Sequence, residues 1–146
     1  MSLLILCIGN RDGGDDAVGP YIYDTLHKKH STISAIDCGT TPENYTSVVK
    51  QQKPTTLLLI DAAEMQLPPG KIRIIPKEKI GTMHISTHGI PLSILISYLE
   101  QYVKKIFFIG IQSKTMHGPL TSPVKNSGDN LIQIIKSKNF KRIKIL

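Results

Sequence analysis

The chain has 146 residues, of which 40% are hydrophobic and 20% charged, the size and make-up of one globular domain covering residues 1–146 with a core that needs no staples. Two cysteines, Cys7 and Cys38, exclude a disulfide scaffold, and no apolar run approaches the roughly 18 residues that span a bilayer, so a reduced, cytoplasmic protein is expected rather than a secreted or membrane one. Net charge is +7 but uneven: residues 1–64 carry −3 and residues 65–146 carry +10.

In chain order, residues 3–8 form a short continuous apolar run ended by Gly9, the pattern of a strand buried on both faces. The opening MSLLILCIGN lacks the basic flank of a signal peptide. Residues 17–29 predict a helix with Val18, Tyr21, Ile22, Thr25 and Leu26 on one face. Residues 33–37 predict a second strand. Thr41-Pro42-Glu43 predicts a helix start, with threonine capping, proline in the first turn and glutamate at the positive end of the dipole. Residues 55–60 predict a third strand that ends at Asp61, and residues 67–70 a turn. Residues 71–75 alternate, as an edge strand does. Residues 88–103 predict a helix with Leu92, Leu95, Ile96, Leu99 and Val103 inward. Residues 105–112 predict another buried strand, and Ser122-Pro123 opens a last helix with Val124, Leu131, Ile134 and Ile135 on its apolar face.

Strands alternating with helices imply right-handed crossovers and a three-layer α/β/α sandwich around a mostly parallel, twisted sheet of about five strands. Sites in such folds lie beyond the carboxyl ends of the strands. Residues 9–19, 61–66 and 110–118 are expected there, with the loop 84–89 reaching the same edge.

The loop from Gly9 to Gly19 is rich in glycine, as a dinucleotide-binding turn is. Its spacing fits neither GxGxxG nor a P-loop. Three carboxylates, Asp12, Asp15 and Asp16, occupy the space where a phosphate would sit. They repel a pyrophosphate and attract a cation. One of Asp15 and Asp16 can cap the following helix, which leaves the other free as a ligand. Asp61 closes an apolar strand, where a carboxylate is costly unless paired, solvated or bound to a metal. It serves either as a turn cap or as a second oxygen ligand across from Asp16.

Of five histidines, His27 and His30 fit a solvated, lysine-rich helix end. His84 and His88 flank the start of the long helix, and His117 follows the fifth strand. His88 gains its case from the two acids expected at that edge. Two carboxylates and one imidazole with open positions suit nickel, zinc or manganese better than a closed structural zinc site. The lysine-rich tail of residues 136–146 is open to a nucleic-acid reading. Lysines outnumber arginines 15 to 3, aromatics are only 5%, and no nucleic-acid motif occurs, so a solvated surface is expected.

The segments GNRDGGDDAVGP, DCGTTPENY, LLLIDAAEM, PGKIRIIP, STHGIPLSILISYL and FFIGIQ with PLTSPVKN, in this order, resemble the [NiFe]-hydrogenase maturation endopeptidases. The resemblance is nearest to the branch that serves hydrogenase-3-type and coenzyme-F420-reducing hydrogenases. One position that the family often fills with glycine is Ala17 here. The resemblance implies an α/β/α sandwich and a protease that removes a C-terminal extension from the hydrogenase large-subunit precursor after nickel insertion. It implies that Asp16, Asp61 and His88 contact the metal and carry the chemistry. It implies nickel supplied by the substrate, with zinc or cadmium able to occupy the same residues.

No nucleophile–base pair is evident. Cys7 sits inside a strand, Cys38 has no clear histidine partner, and no HExxH occurs. Metal-assisted amide hydrolysis is therefore expected, with Gly39, Thr40, Thr41 and Glu43 able to line the groove. The competing expectation is a chaperone that checks nickel loading through the same residues and does not cut.

Overall fold

Five strands lie side by side in the computed structural model, which describes residues 2–28, 32–81 and 89–146. They are β1 (Leu3–Cys7), β2 (Ser34–Asp37), β3 (Thr56–Ala63), β4 (Ile72–Ile74) and β5 (Lys105–Gln112). The spatial order is β2-β1-β3-β5-β4, with β4 antiparallel to β5 and the other pairs parallel. All eight residues of β3 are buried, because strands cover both its edges and helices cover both its faces. The apolar run that signalled it in the sequence follows from that position.

Alternation along the strands separates two cores. Leu4, Leu6, Ile8, Leu57, Leu59 and Ala63 meet Val49 of α2 (Thr46–Gln52) and Leu92, Leu95, Ile96 and Leu99 of α4 (Leu92–Leu99), with α3 (Lys77–Ile80) at their margin. Ile5, Cys7, Leu58, Ile60, Ile109 and Ile111 meet Val18, Ile22 and Leu26 of α1 (Val18–Lys28) and Val124, Leu131, Ile132 and Ile135 of α5 (Ser122–Lys136). This is the three-layer arrangement the sequence predicts.

Several boundaries move for physical reasons. The third strand continues through Asp61 to Ala63, because β5 is equally long and pairs Asp61 with Gly110, Ala62 with Ile111 and Ala63 with Gln112. Asp61 is thus a strand-interior residue, and Ala62 and Ala63 after it continue the strand instead of opening a turn. The helix expected over 17–29 starts at Val18, behind a 3-10 turn of Gly14–Ala17. The start expected at Thr41 is a 3-10 turn, Pro42–Tyr45, that leads into α2. Thr41 takes the cap position but makes no side-chain cap bond; its hydroxyl accepts from Asn44 Nδ2 at 3.2 Å. The long helix is regular only over Leu92–Leu99, while all five inward residues expected of it are buried.

The edge strand β4 is covered on its outer side by the C-terminal segment. Ile74 N donates to Lys144 O and Leu146 N donates to Ile74 O, at 2.9 Å each. Phe140 and Ile143 are buried in the α1/α5 core, and the lysines around them are exposed. The tail therefore closes a sheet edge.

Gln112, buried at the end of β5, fixes the loop that follows β3. Its Oε1 accepts from Met65 N at 2.6 Å and Leu67 N at 3.3 Å, and its Nε2 donates to Glu64 Oε2 and Ser113 O, both at 3.0 Å. Replacement by leucine strands the buried Met65 N–H and the half-buried Leu67 N–H. We expect Gln112→Leu to lower stability by about 2–3 kcal/mol in urea unfolding. An unchanged midpoint would show that the loop holds its own shape.

Candidate active site

The sheet reverses its winding between β1 and β3, since β2 lies on one side of β1 and β3 on the other. The crevice at the carboxyl ends of these two strands is where ligands bind in such sheets. Ile8 N donates to Ile60 O, and Gly9 N donates to Gly39 O, so the first loop leaves the sheet between the ends of β2 and β3. Gly9 has φ +150°, and a side chain there would strike the carbonyl of Asp16. Glycine thus lets the 3-10 turn fold back over the end of β1 and pack against β3.

That turn carries Asp15 and Asp16 and sends them apart. Neither caps a helix. Asp15 is buried and accepts from Lys114 N (2.7 Å), Thr115 N (3.2 Å), Thr121 N (2.8 Å) and Thr121 Oγ1 (2.8 Å). Burial pushes its carboxyl up, but these donors outweigh that and hold it below its ordinary 3.8. Its charge is spent on holding residues 114–121 in place and leaves nothing for a ligand.

Asp16 is 2% exposed and differs in one atom. Its Oδ2 accepts from Asn10 N at 2.7 Å, while no donor among the described residues reaches its buried Oδ1. Asp61, on the same edge, is fully buried on the face of β3 shared by Leu57, Leu59 and Ala63. Asp16 and Asp61 thus both stand at the carboxyl edge of the sheet, one on the turn after β1 and the other on β3, and that turn packs against β3. His88 lies outside the described residues, as do His30 and His84. Among the described residues, no three of histidine, cysteine, aspartate and glutamate are close enough to hold a metal ion.

The remaining candidates are placed elsewhere. Asp12 is exposed, and its N–H donates to Asn10 Oδ1. His27 stacks on Tyr23 on the surface of α1, with ring centroids 5.7 Å apart, and His117 is exposed. Cys7 and Cys38 are free and buried. Burial, then the charge of Asp37, pushes the Cys38 thiol up to about 12. Burial pushes Cys7 higher still. Neither is a thiolate nucleophile at neutral pH.

Gly39, Thr40 and Thr41 line a cleft of about 670 Å³ together with Gly9–Asp12, Asp37, Cys38 and Tyr45; Glu43 stands outside it. Sequence reasoning missed Arg11. This residue spans the cleft rim, with Nη1 and Nη2 on Asp24 at 2.7 and 3.0 Å and Nη2 on Asp37 at 2.6 Å. It fastens the first loop to α1 and to the end of β2. Its position among acids was the only available signal.

The architecture matches solved maturation proteases. The crystal structure of a hydrogenase 3 maturation protease has a TM-score of 0.90 at 31% identity, covering 100% of this chain and 97% of that one. The solution structure of the endopeptidase HycI from Escherichia coli reaches 0.87 at 31% identity, with the same coverage. The sequence profile of the hydrogenase maturation proteases matches residues 20–138. The hydrogenase 3 maturation protease of Escherichia coli K12 is 36% identical over 138 residues, which is 91% of this chain and 88% of that protein. A putative hydrogenase maturation protease of Methanocaldococcus jannaschii is 36% identical over 144 residues, 91% of this chain and 85% of that protein. The chain belongs to the hydrogenase maturation protease family, a family of endopeptidases.

Proposed function

We propose that this protein is a cytoplasmic endopeptidase that cuts the C-terminal extension from a [NiFe]-hydrogenase large-subunit precursor once nickel has been inserted. Nickel enters as part of the substrate. Asp16, Asp61 and His88 are the residues that take hold of it, and the same oxygen, oxygen and nitrogen donors suit zinc or cadmium. The observation that carries this reading is Asp16 Oδ1. It is a buried carboxylate oxygen on the turn at the switch-point crevice, with no donor on it among the described residues. Such an atom is a defect in a closed core and an asset where a cation arrives from outside.

Holding the loaded centre fixes the attached tail near the site, so that cutting proceeds as an intramolecular event. A carboxylate of the site takes a proton from water. The water oxygen bonds to the scissile carbonyl carbon, the C–N bond breaks, and the proton passes to the departing amine. Both cysteines are excluded as nucleophiles by their burial.

The test is mass spectrometry of a purified precursor incubated with this protein. A large subunit shortened at its C-terminus is expected. An unchanged mass with a stable complex would instead identify a chaperone that inspects nickel without cutting. Precursor prepared without nickel is expected to be cut at least tenfold more slowly. Equal rates with and without nickel would remove nickel sensing from the mechanism.

A further inference from the structure

Glu43 follows the buried Pro42 in the 3-10 turn beyond β2. Its Oε1 is buried, and no donor among the described residues reaches it. The ordinary task of an acid in a first helical turn is to accept from the helix's own N–H groups. Glu43 does not do so: Asn44 N turns back to Thr41 O, and no cap bond forms. Instead the carboxylate lies against the backbone of Gly89, where any Cβ would overlap Oε2 and stand 2.9 Å from Cδ. Gly89 stands at the head of the segment that leads into α4.

Glu43 lies outside the cleft that Gly39, Thr40 and Thr41 line, but the turn that carries it follows Gly39, whose carbonyl accepts from Gly9 N at the start of the loop that bears Asp16. It does not form a metal-holding trio with Asp16 and Asp61, since no such group exists among the described residues. An unsatisfied buried carboxylate oxygen destabilises the free protein, and such groups are kept where an outside partner completes them. Along an extended peptide, the donor offered at every residue is the backbone N–H.

We propose that Glu43 is a substrate-contacting residue whose Oε1 accepts a hydrogen bond from a backbone N–H of the tail to be cut. This rests on the endopeptidase reading above. It adds a grip on the peptide chain that is separate from the grip on nickel.

The test compares Glu43→Gln and Glu43→Leu with the wild type in thermal unfolding and in steady-state cleavage of nickel-loaded precursor. Both variants are expected to melt at or above the wild-type temperature, because each removes the carboxylate whose Oε1 is buried without a donor among the described residues. Expected kcat/KM falls about tenfold for glutamine, which keeps a neutral acceptor, and about a hundredfold for leucine, mainly through KM. A melting temperature that drops along with activity would make Glu43 a structural residue and overturn the proposal. Unchanged kcat/KM would do the same. Glutamine as damaging as leucine would point to a cationic donor and overturn the N–H assignment. Should the wild type leave the precursor uncut, the endopeptidase reading fails separately. Precursor Kd then decides the Glu43 contact: a tenfold to hundredfold weakening keeps it and an unchanged value removes it.

Discussion

Asp16→Asn is expected to reduce precursor cleavage by roughly a hundredfold or more while the protein stays folded. Asparagine is nearly isosteric with aspartate. Its carbonyl can still accept from Asn10 N, the one hydrogen bond that ties Asp16 to the first loop. Its amide nitrogen takes the place of Oδ1, which has no donor among the described residues. The folded state therefore loses little, and removing an uncompensated buried charge offsets part of that loss. Function loses the oxygen that a cation needs, since an amide N–H₂ cannot coordinate one. Thermal unfolding within a few degrees of wild type, beside near-complete loss of the shortened product in mass spectrometry, is the expected pair of results. His88→Ala is expected to behave alike in the cleavage assay. Full processing by both variants would refute the ligand assignment outright.

That such a test can be framed at all depends on telling Asp15 from Asp16, which the sequence could not do. They are adjacent and chemically identical, and the sequence permits either to cap while the other binds. Consecutive side chains of a 3-10 turn point about a third of a turn apart, so neighbours face different surroundings. Here one faces the loop after β5 and the other the crevice. The partners of Asp15 lie 99 to 106 residues away, and no local pattern encodes that separation. Strands were legible for the opposite reason. Burial on both faces writes a continuous apolar run into β1, β3 and β5, and partial burial writes alternation into β4. Where a polar residue interrupts such a run, the pattern misleads. Asp61 reads as the end of β3, yet the ladder to β5 continues beneath it for two more residues. Arg11 shows the same limit, since its two partners come from α1 and β2 and meet only once the sheet is assembled. Asp61 and Asp16 could both be assigned to the carboxyl edge from sequence because the rule for ligand position in wound sheets depends on topology, and topology follows from element order.

Asp15→Ala is expected to be the most destabilising of these single substitutions, at about 3–4 kcal/mol. Aspartate 15 is fully buried and accepts from three backbone N–H groups and one hydroxyl. Alanine leaves those donors facing a void, and each unsatisfied buried group costs about 1–3 kcal/mol, reduced where the loop relaxes. For a chain of this length the melting temperature should fall by roughly 10 °C. Asparagine should not rescue it, because one side of an amide would turn N–H groups toward N–H groups. The effect carries a pH signature. The folded-state carboxyl is held below 3.8, so the unfolded chain binds the proton more readily and stability rises with pH across that window. The contribution of Asp15 is fully present above about pH 4 and is lost as pH falls through the lowered folded-state value. Wild type and Asp15→Ala should therefore differ most in urea unfolding near neutral pH and converge in strong acid. A gap that stays constant down to pH 2 would mean that packing, and not the charge, holds residues 114–121. The loss should also reach the site, because Met116 of that loop and Ser113 just before it wall a cavity of about 200 Å³ with Ala62, Ala63 and Glu64, directly beyond Asp61. A variant that retains Asp16, Asp61 and His88 should then cleave more slowly even where most molecules remain folded, because the wall beyond Asp61 is no longer held in place.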